Sequence, residues 1–366
     1  MKTAYILGAG FSRAAGFPLM NDFFFQARNL YARGGLSTED EKAFEQVFSF
    51  VNNYSKAKNY LSFDLFNMED LFSIIEMRKL IENKDGTNIE DEYLRVLRCV
   101  FENQLTSMSG GYVLKHLSEF KRNHNNVHNL RDALMMNRSS DQFTVWDNYL
   151  RFIKEIFKIQ YFPGAGLFDI NSKEQPSSII SLNYDLLVER VIALFLVYNA
   201  IEGKPSDISV NYGINDEFLH KITDDSLLYK LQFSTNAGIK ISKLHGSLNF
   251  KMSPESSREK PLLVPPTWNK QVHPHFVGIW QQATECVREC EKLVFIGFSF
   301  PITDQYFKYW LINALVENES LKSVEVVCPD DSGDTEKRYR AFFDQHFSAK
   351  VFTYFNMTFK DWMGRR

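Results

Sequence analysis

Short runs of apolar residues recur along the chain, and glycine or polar residues follow each of them. The first run, residues 3–7, ends at Gly8, and the second, residues 179–182, ends at Asn183. The predicted strands are 3–7, 179–182, 239–244, 293–296, 324–328 and 351–355. Helical spacing of apolar residues predicts helices from near residue 12 and over 186–198, 276–291 and 304–317. Apolar strands alternating with helices predict an α/β, Rossmann-like fold, with a mostly parallel sheet covered by helices on both faces.

Residues from about 20 to 165 follow a different pattern, with many aromatic residues and few strand-like runs. Helical spacing is clearest over the segments 41–51, 68–81, 90–101 and 146–161. We therefore expect a Rossmann-like domain formed by residues 1–20 and 175–366, with a smaller insertion near 200–238. A large helical insertion domain then occupies residues 21–174, and the polar segment 171–178 links the two.

Composition narrows the classes of function. The formal net charge of −3 argues against a nucleic-acid footprint over the whole surface, although it leaves a local basic groove open. The four cysteines include no Cys-x-x-Cys pair, and Cys286 with Cys290 supplies too few ligands for a structural zinc site. No run is long and apolar enough to span a membrane, and residues 3–7 are too few for a signal peptide. We expect a cytoplasmic protein with reduced thiols and no membrane or direct nucleic-acid partner.

Four clusters of chemically useful residues each lie immediately after a predicted strand. They are residues 8–18, 183–185, 245–247 and 297–304. In open parallel sheets, ligands bind outside the carboxyl ends of the strands. These clusters are therefore expected to converge on one cleft, and that shared position is stronger evidence than any single motif.

Each cluster also has an ordinary structural explanation. The glycine turn from Gly8 to Gly16 could face a pyrophosphate, or it could be a plain strand-to-helix turn. Asn183 or Asp185 could simply cap the next helix, and this is the better interpretation for Asp185 alone. His245 could act as a general base near neutral pH, or it could merely be hydrogen-bonded at the end of a strand. The two histidines His273 and His275 are a weak candidate for a metal site, because no carboxylate motif accompanies them.

The four clusters together resemble the sirtuin family. Gly8-Ala9-Gly10-Phe11-Ser12 with Gly16-Phe17-Pro18 is similar to the first sirtuin glycine motif, and Asn183-Tyr184-Asp185 is similar to the Asn-x-Asp motif. His245-Gly246 resembles the catalytic His-Gly, and Gly297-Phe298-Ser299 resembles the later nucleotide loop. The motifs occur in the family's order and cover the first 20 residues and most of 177–330. As an ordered set they are specific, although each piece alone is not.

The departures from this family point to one branch of it. The chain lacks the paired cysteines of the zinc module of protein deacetylases, and Leu19 and Met20 follow Pro18 where deacetylases carry a Phe-Arg pair. The helical insertion, Asn183-Tyr184-Asp185 and the segment Pro265-Pro266-Thr267-Trp268-Asn269-Lys270 resemble a divergent bacterial group of sirtuin-like proteins. Members of that group, including Thoeris effectors and proteins encoded beside HerA-type ATPases or short Argonautes, deplete NAD during phage infection.

The resemblance implies an NAD hydrolase that produces nicotinamide and ADP-ribose and acts as an antiviral effector. It implies catalysis by Asn183 and His245, with NAD as substrate and without a metal. It leaves open whether Asp185 positions the substrate or is structural. The residues implied to bind NAD are Gly8, Ala9, Gly10, Phe11, Ser12, Phe17, Pro18, Asp185, Gly246, Gly297, Ser299 and Asp304.

Activity of this kind must be controlled, and the resemblance implies control through a homo-oligomer or a separate HerA-type ATPase or short Argonaute. Two other functions stay open at this point. One is a non-catalytic subunit that binds NAD or ADP-ribose, although such a subunit would not need both Asn183 and His245. The other is a sirtuin-like transferase of ADP-ribosyl or acyl groups, which the missing zinc module disfavours.

Overall fold

The structure is a computed structural model of the 366-residue chain. It describes residues 1–55, 67–82, 87–107, 141–162, 164–170, 177–201, 203, 208–220, 228–235, 238–255, 261–264, 274–346 and 351–366.

A seven-stranded parallel sheet forms the centre of the molecule, which confirms the predicted α/β class. Its strands are β1 (Thr3–Leu7), β4 (Ser178–Ser181), β5 (Val210–Asn211), β6 (Ile239–Lys243), β9 (Lys292–Ile296), β10 (Ser323–Val327) and β11 (Val351–Phe355). Their order across the sheet is β11-β10-β9-β1-β4-β6-β5, and every neighbouring pair is parallel. The strands are largely apolar and buried because helices cover the sheet.

The described helices pack around this sheet and in the region between β1 and β4. They are α1 (Ala9–Ser12), α2 (Phe23–Arg33), α3 (Thr38–Ser55), α4 (Met68–Glu82), α5 (Thr87–Ser107), α6 (Asp141–Ile156), α7 (Leu187–Ile201), α8 (Val277–Glu289), α9 (Gln305–Val316), α10 (Asp334–His346) and α11 (Phe359–Gly364). Helix α7 is apolar over most of its surface, as expected for a buried helix. No described helix is both long and apolar enough to cross a bilayer.

Strand order brings the four predicted clusters to one edge of the sheet. Leu7, the last residue of β1, is in register with Ser181 of β4 on one side and with Ile296 of β9 on the other. Ser181 is in turn paired with Lys243, the last residue of β6. After β1, the chain adds β4, β5 and β6 on one side of β1 and then crosses to add β9, β10 and β11 on the other side. The carboxyl ends of β1 and β9 therefore form a topological switch point, where α/β sheets place their ligands.

Several boundaries differ from the sequence prediction. Residues 146–161 are predicted as one helix, but α6 ends at Ile156 and the chain continues into the hairpin of β2 (Ile159–Phe162) and β3 (Leu167–Ile170). A second hairpin, β7 (Gly246–Lys251) with β8 (Pro261–Leu263), begins directly after His245 and is absent from the prediction. Both hairpins have short, mixed sequences in which apolar periodicity carries little information.

Helix α6 belongs to the layer that covers the sheet, although the sequence places it in the insertion at 21–174. Phe152 of α6 packs edge-on against Tyr5 of β1, with ring centroids 5.3 Å apart. Tyr149 of α6 packs against Phe11 at 5.1 Å and donates a hydrogen bond to the Phe11 carbonyl. The separation of the chain into two domains stays a prediction, but this packing makes α6 part of the hydrophobic core around β1.

Candidate functional site

The glycine turn after β1 packs directly against the turn after β9. A Cβ atom at Gly8 would lie 2.7 Å from the Gly297 carbonyl oxygen, and one at Gly10 would lie 2.8 Å from the Gly297 Cα atom. Gly297 itself has φ of 66°, and a Cβ there would fall on the backbone of Gly10 and Phe11. Glycine is therefore required at all three positions, because any side chain would push the turns apart.

These contacts also occupy backbone amides that the sequence assigns to phosphate binding. The N–H of Gly8 donates to the Ile296 carbonyl at 3.0 Å, and the N–H of Gly10 donates to the Gly297 carbonyl at 2.8 Å. In this conformation a phosphate at the turn must use other groups. The helix expected near Ser12 begins earlier, at Ala9, and consists of one short turn.

Asn183 connects the loop after β4 to the glycine turn after β1. Its side-chain Nδ2 donates to the Gly8 carbonyl at 3.0 Å and to the Ser12 hydroxyl at 3.1 Å. The Ser12 hydroxyl then donates to a carboxylate oxygen of Asp185 at 2.8 Å. Asn183 does not cap the following helix, which begins at Leu187. The structure thus brings together three predicted site residues in one buried hydrogen-bonded chain.

Asp185 does serve the start of helix α7, as the structural interpretation of this residue anticipates. Its second carboxylate oxygen accepts a hydrogen bond from the Leu187 amide at 3.0 Å. Burial raises the pKa of the Asp185 carboxyl above its usual range, while the nearby Lys243 cation opposes that rise. A buried carboxyl held by Ser12 and Leu187 orders the loop that carries Asn183.

His245 lies in the two-residue turn between β6 and β7, at the same edge of the sheet. Its Nδ1 atom is 3.2 Å from the carbonyl oxygen of Leu182, the residue that precedes Asn183. A carbonyl oxygen can only accept, so a hydrogen bond here requires a proton on Nδ1, and in the neutral imidazole the lone pair is then on Nε2. Gly246 follows with φ of 85°, a conformation that permits the sharp turn into β7.

Helix α5 of the predicted insertion packs against the segment after β1 and against the loop after β4. The Gln104 side chain donates to the Ala15 carbonyl at 2.9 Å, just beyond the glycine turn. The ring of Phe101 packs at 5.8 Å from Phe17 and at 6.5 Å from Tyr184. The insertion therefore contacts two of the predicted motifs and holds Phe17 in the core. Pro18 is buried beside it.

The predicted residues after β9 are placed mainly as structural groups. Asp304 is the N-cap of α9, and its side chain accepts from the Phe307 amide at 3.3 Å. The carbonyl of Ser299 accepts from the Arg338 guanidinium at 3.0 Å. Phe11, on the β1 side, packs into an aromatic cluster with Tyr149, Phe152 and Phe359. The part of this segment that approaches the glycine turn is the backbone of Gly297 and Phe298, together with the Phe298 Cβ atom.

Sequence reasoning missed a buried polar network behind the site. Lys243 and Glu189 each expose 1% of their side chains and form an ion pair at 3.2 Å. Lys243 also donates to the Asp185 carbonyl, and the Tyr212 hydroxyl donates to Glu189 at 2.9 Å. Neither residue stands out in the sequence, because polar residues lie beside both: Ser242 precedes Lys243, and Arg190 follows Glu189.

Comparison with known proteins leaves the family open, since the chain matches no protein-family model and no curated protein. The likeness to sirtuins therefore depends on the motifs themselves. The predicted Pro265–Lys270 motif lies outside the described residues, as does His273, and the side chain of His275 is not described.

Proposed function

We propose that this protein hydrolyses NAD to nicotinamide and ADP-ribose at the carboxyl edge of the sheet. In this reaction the bond between the nicotinamide nitrogen and the ribose carbon breaks, and its electron pair leaves with neutral nicotinamide. A water oxygen bonds to the same carbon and loses a proton. The reaction needs a base for that proton and a group that orients the water or the ribose.

The orientation of His245 is the observation that carries the proposal. When Nδ1 donates its proton to the Leu182 carbonyl, Nε2 of the neutral imidazole is the atom that would accept a proton from water. Leu182 directly precedes Asn183, so this hydrogen bond links His245 to the loop that carries Asn183. His245 exposes 6% of its surface and Asn183 exposes 9%, and this burial strengthens electrostatic interactions at the site.

Asn183 is suited to hold a ribose hydroxyl or a water. Its Nδ2 is committed to Gly8 and Ser12, so Oδ1 is the atom that would accept a hydrogen bond from the ligand. The ribose develops positive charge as nicotinamide departs, and an amide oxygen beside it would stabilise that charge. Asp185 acts in this proposal through Ser12 and Leu187, as a positioning residue.

The resemblance to bacterial sirtuin-like proteins extends the proposal to a biological role. In that role the enzyme is a cytoplasmic effector that depletes NAD during phage infection. Its activity is then controlled by self-assembly or by a separate HerA-type ATPase or short Argonaute.

Product analysis of the purified wild type tests the proposal. The protein is incubated with NAD alone and with cell lysate, and nicotinamide and ADP-ribose are separated by liquid chromatography. Equal amounts of the two products support hydrolysis. NAD binding without release of nicotinamide under either condition would instead favour a ligand-sensing subunit. Nicotinamide without an equal amount of ADP-ribose, accompanied by modified protein, would indicate a transferase.

A further inference from the structure

We propose that Lys243 is a positioning residue that fixes the Asn183–Asp185 loop relative to the turn carrying His245. This inference rests on the proposed function, because it assigns a role in that reaction. No sequence motif includes the Lys243 side chain.

Lys243 stands between the two candidate catalytic segments. It is the last residue of β6, two positions before His245, and its backbone is paired with Ser181, two positions before Asn183. Its ammonium group donates to the main-chain carbonyl of Asp185 and to the Glu189 carboxylate. One cation therefore contacts the loop after β4 and the first turn of α7 from the strand that leads to His245.

The network continues beyond Glu189 to the strand that follows His245. The Tyr212 hydroxyl donates to Glu189 at 2.9 Å, and the Asn249 side chain donates to the Tyr212 hydroxyl at 3.5 Å. Asn249 lies on β7, four residues after His245, and is fully buried. The turn that bears His245 is thus held on both sides by one polar network.

Fold stability alone is a poor explanation for this arrangement. A buried ion pair often contributes no more to stability than apolar residues of similar volume, because both charges lose their hydration. Most other residues of helix α7 are apolar, as are Ile239 and Ile241 of β6, so a Met at 243 with a Leu at 189 would suit these surroundings. What the apolar pair would not supply is the directed hydrogen bond to the Asp185 carbonyl.

Lys243 also contributes to the electrostatics of the loop. The charged and titratable groups around Asp185 are Lys243, Glu189 and Tyr149, in addition to its hydrogen-bond partner Ser12. Lys243 is the cation among them and opposes the burial that raises the pKa of Asp185. Removal of its charge is expected to raise that pKa further.

The test compares Lys243→Met with a matched control, Lys292→Met. Lys292 forms an ion pair with Glu325 at 2.6 Å but lies at the amino end of β9, away from the site. Lys243→Met should lower kcat for nicotinamide release about 10²-fold with little change in KM, as expected when reacting groups are displaced. Lys292→Met should keep wild-type kcat. Equal kcat values for wild type and Lys243→Met would overturn the proposal.

A double variant separates positioning from folding. Lys243→Met leaves a buried carboxylate unpaired, and Glu189→Gln combined with it removes that charge. The double variant should regain most of the thermal stability that Lys243→Met loses, but not the wild-type kcat. Recovery of both would show that Lys243 only balances the charge of Glu189.

Hydrogen exchange gives a readout that needs no catalysis. Peptides covering 182–187 and 244–248 should exchange faster in the double variant, while β10 and β11 keep their protection. If the wild type releases no nicotinamide, the proposed function fails, yet this comparison still decides the role of Lys243. Unchanged exchange in both site peptides would overturn the positioning role.

Discussion

Replacement of Asn183 by alanine should lower both the free energy of unfolding and kcat, and the size of each effect can be estimated from the contacts of this side chain. The variant loses two buried hydrogen bonds, to the Gly8 carbonyl and to the Ser12 hydroxyl. A buried hydrogen bond contributes about 1 kcal/mol net, so the free energy of unfolding should fall by about 1–3 kcal/mol. The loss of a group that stabilises developing charge should lower kcat by roughly 10²–10³-fold.

Asn199→Ala is the matched control for this variant. Asn199 is also buried, and its side chain makes two hydrogen bonds of 2.7 and 2.8 Å to the backbone of Phe168. It lies near the carboxyl end of α7, whereas Asn183 precedes that helix at the sheet edge. The two substitutions should therefore cost similar stability, measured by urea unfolding with the slope held constant.

Nicotinamide release by the two variants then decides between the explanations. The account predicts that Asn199→Ala retains near wild-type kcat under conditions where it is folded, and that Asn183→Ala does not. The KM for NAD should change little in either variant, because the lost interaction acts mainly on the transition state. Equal residual activity in the two variants would refute a catalytic role for Asn183 and leave it as a structural link between loops.

Two further predictions concern packing and thiol chemistry. Gly297→Ala should lower the free energy of unfolding, measured in urea, by about 1–3 kcal/mol more than Gly34→Ala. Both glycines have positive φ, but of the two only Gly297 has backbone atoms of another turn where a Cβ would lie. Equal losses would contradict the contact between the two turns. Burial raises the pKa of the Cys328 thiol to about 11 and that of Cys290 to about 12. Native protein at pH 8 should therefore react slowly with a disulfide reagent, because only about 0.1% of Cys328 is thiolate there against about a quarter of a free thiol. Rapid native labelling would refute this burial.

The centre of the sheet could be predicted from the sequence because strands such as β1 and β9 are buried on both faces. Such strands form continuous apolar runs, and the runs at 3–7 and 293–296 agree with β1 and β9 to within one residue. The hairpin β7–β8 could not be predicted in the same way. Strand β8 is short and begins with Pro261, and residues 252–260 separate it from β7, so neither a tight turn nor a long apolar run marks the pair.

The candidate site was predictable in position but not in its contacts. Each motif follows a strand, and parallel pairing brings the strand ends together, so convergence of Asn183 and His245 follows from the fold class. That the Gly8 and Gly10 amides are used by β9 depends on the close approach of Gly297, which only the three-dimensional arrangement reveals. The role of Lys243 likewise depends on which face of β6 meets helix α7.

The central claim is that NAD is cleaved with His245 as the base, and loss of the imidazole tests this most directly. Nicotinamide release is followed over time for the wild type, His245→Ala and the control Asn199→Ala, at equal concentrations of folded protein. The account predicts that wild type and Asn199→Ala release nicotinamide together with ADP-ribose, while His245→Ala releases none above the uncatalysed rate. Nicotinamide release at the wild-type rate by folded His245→Ala would contradict the account.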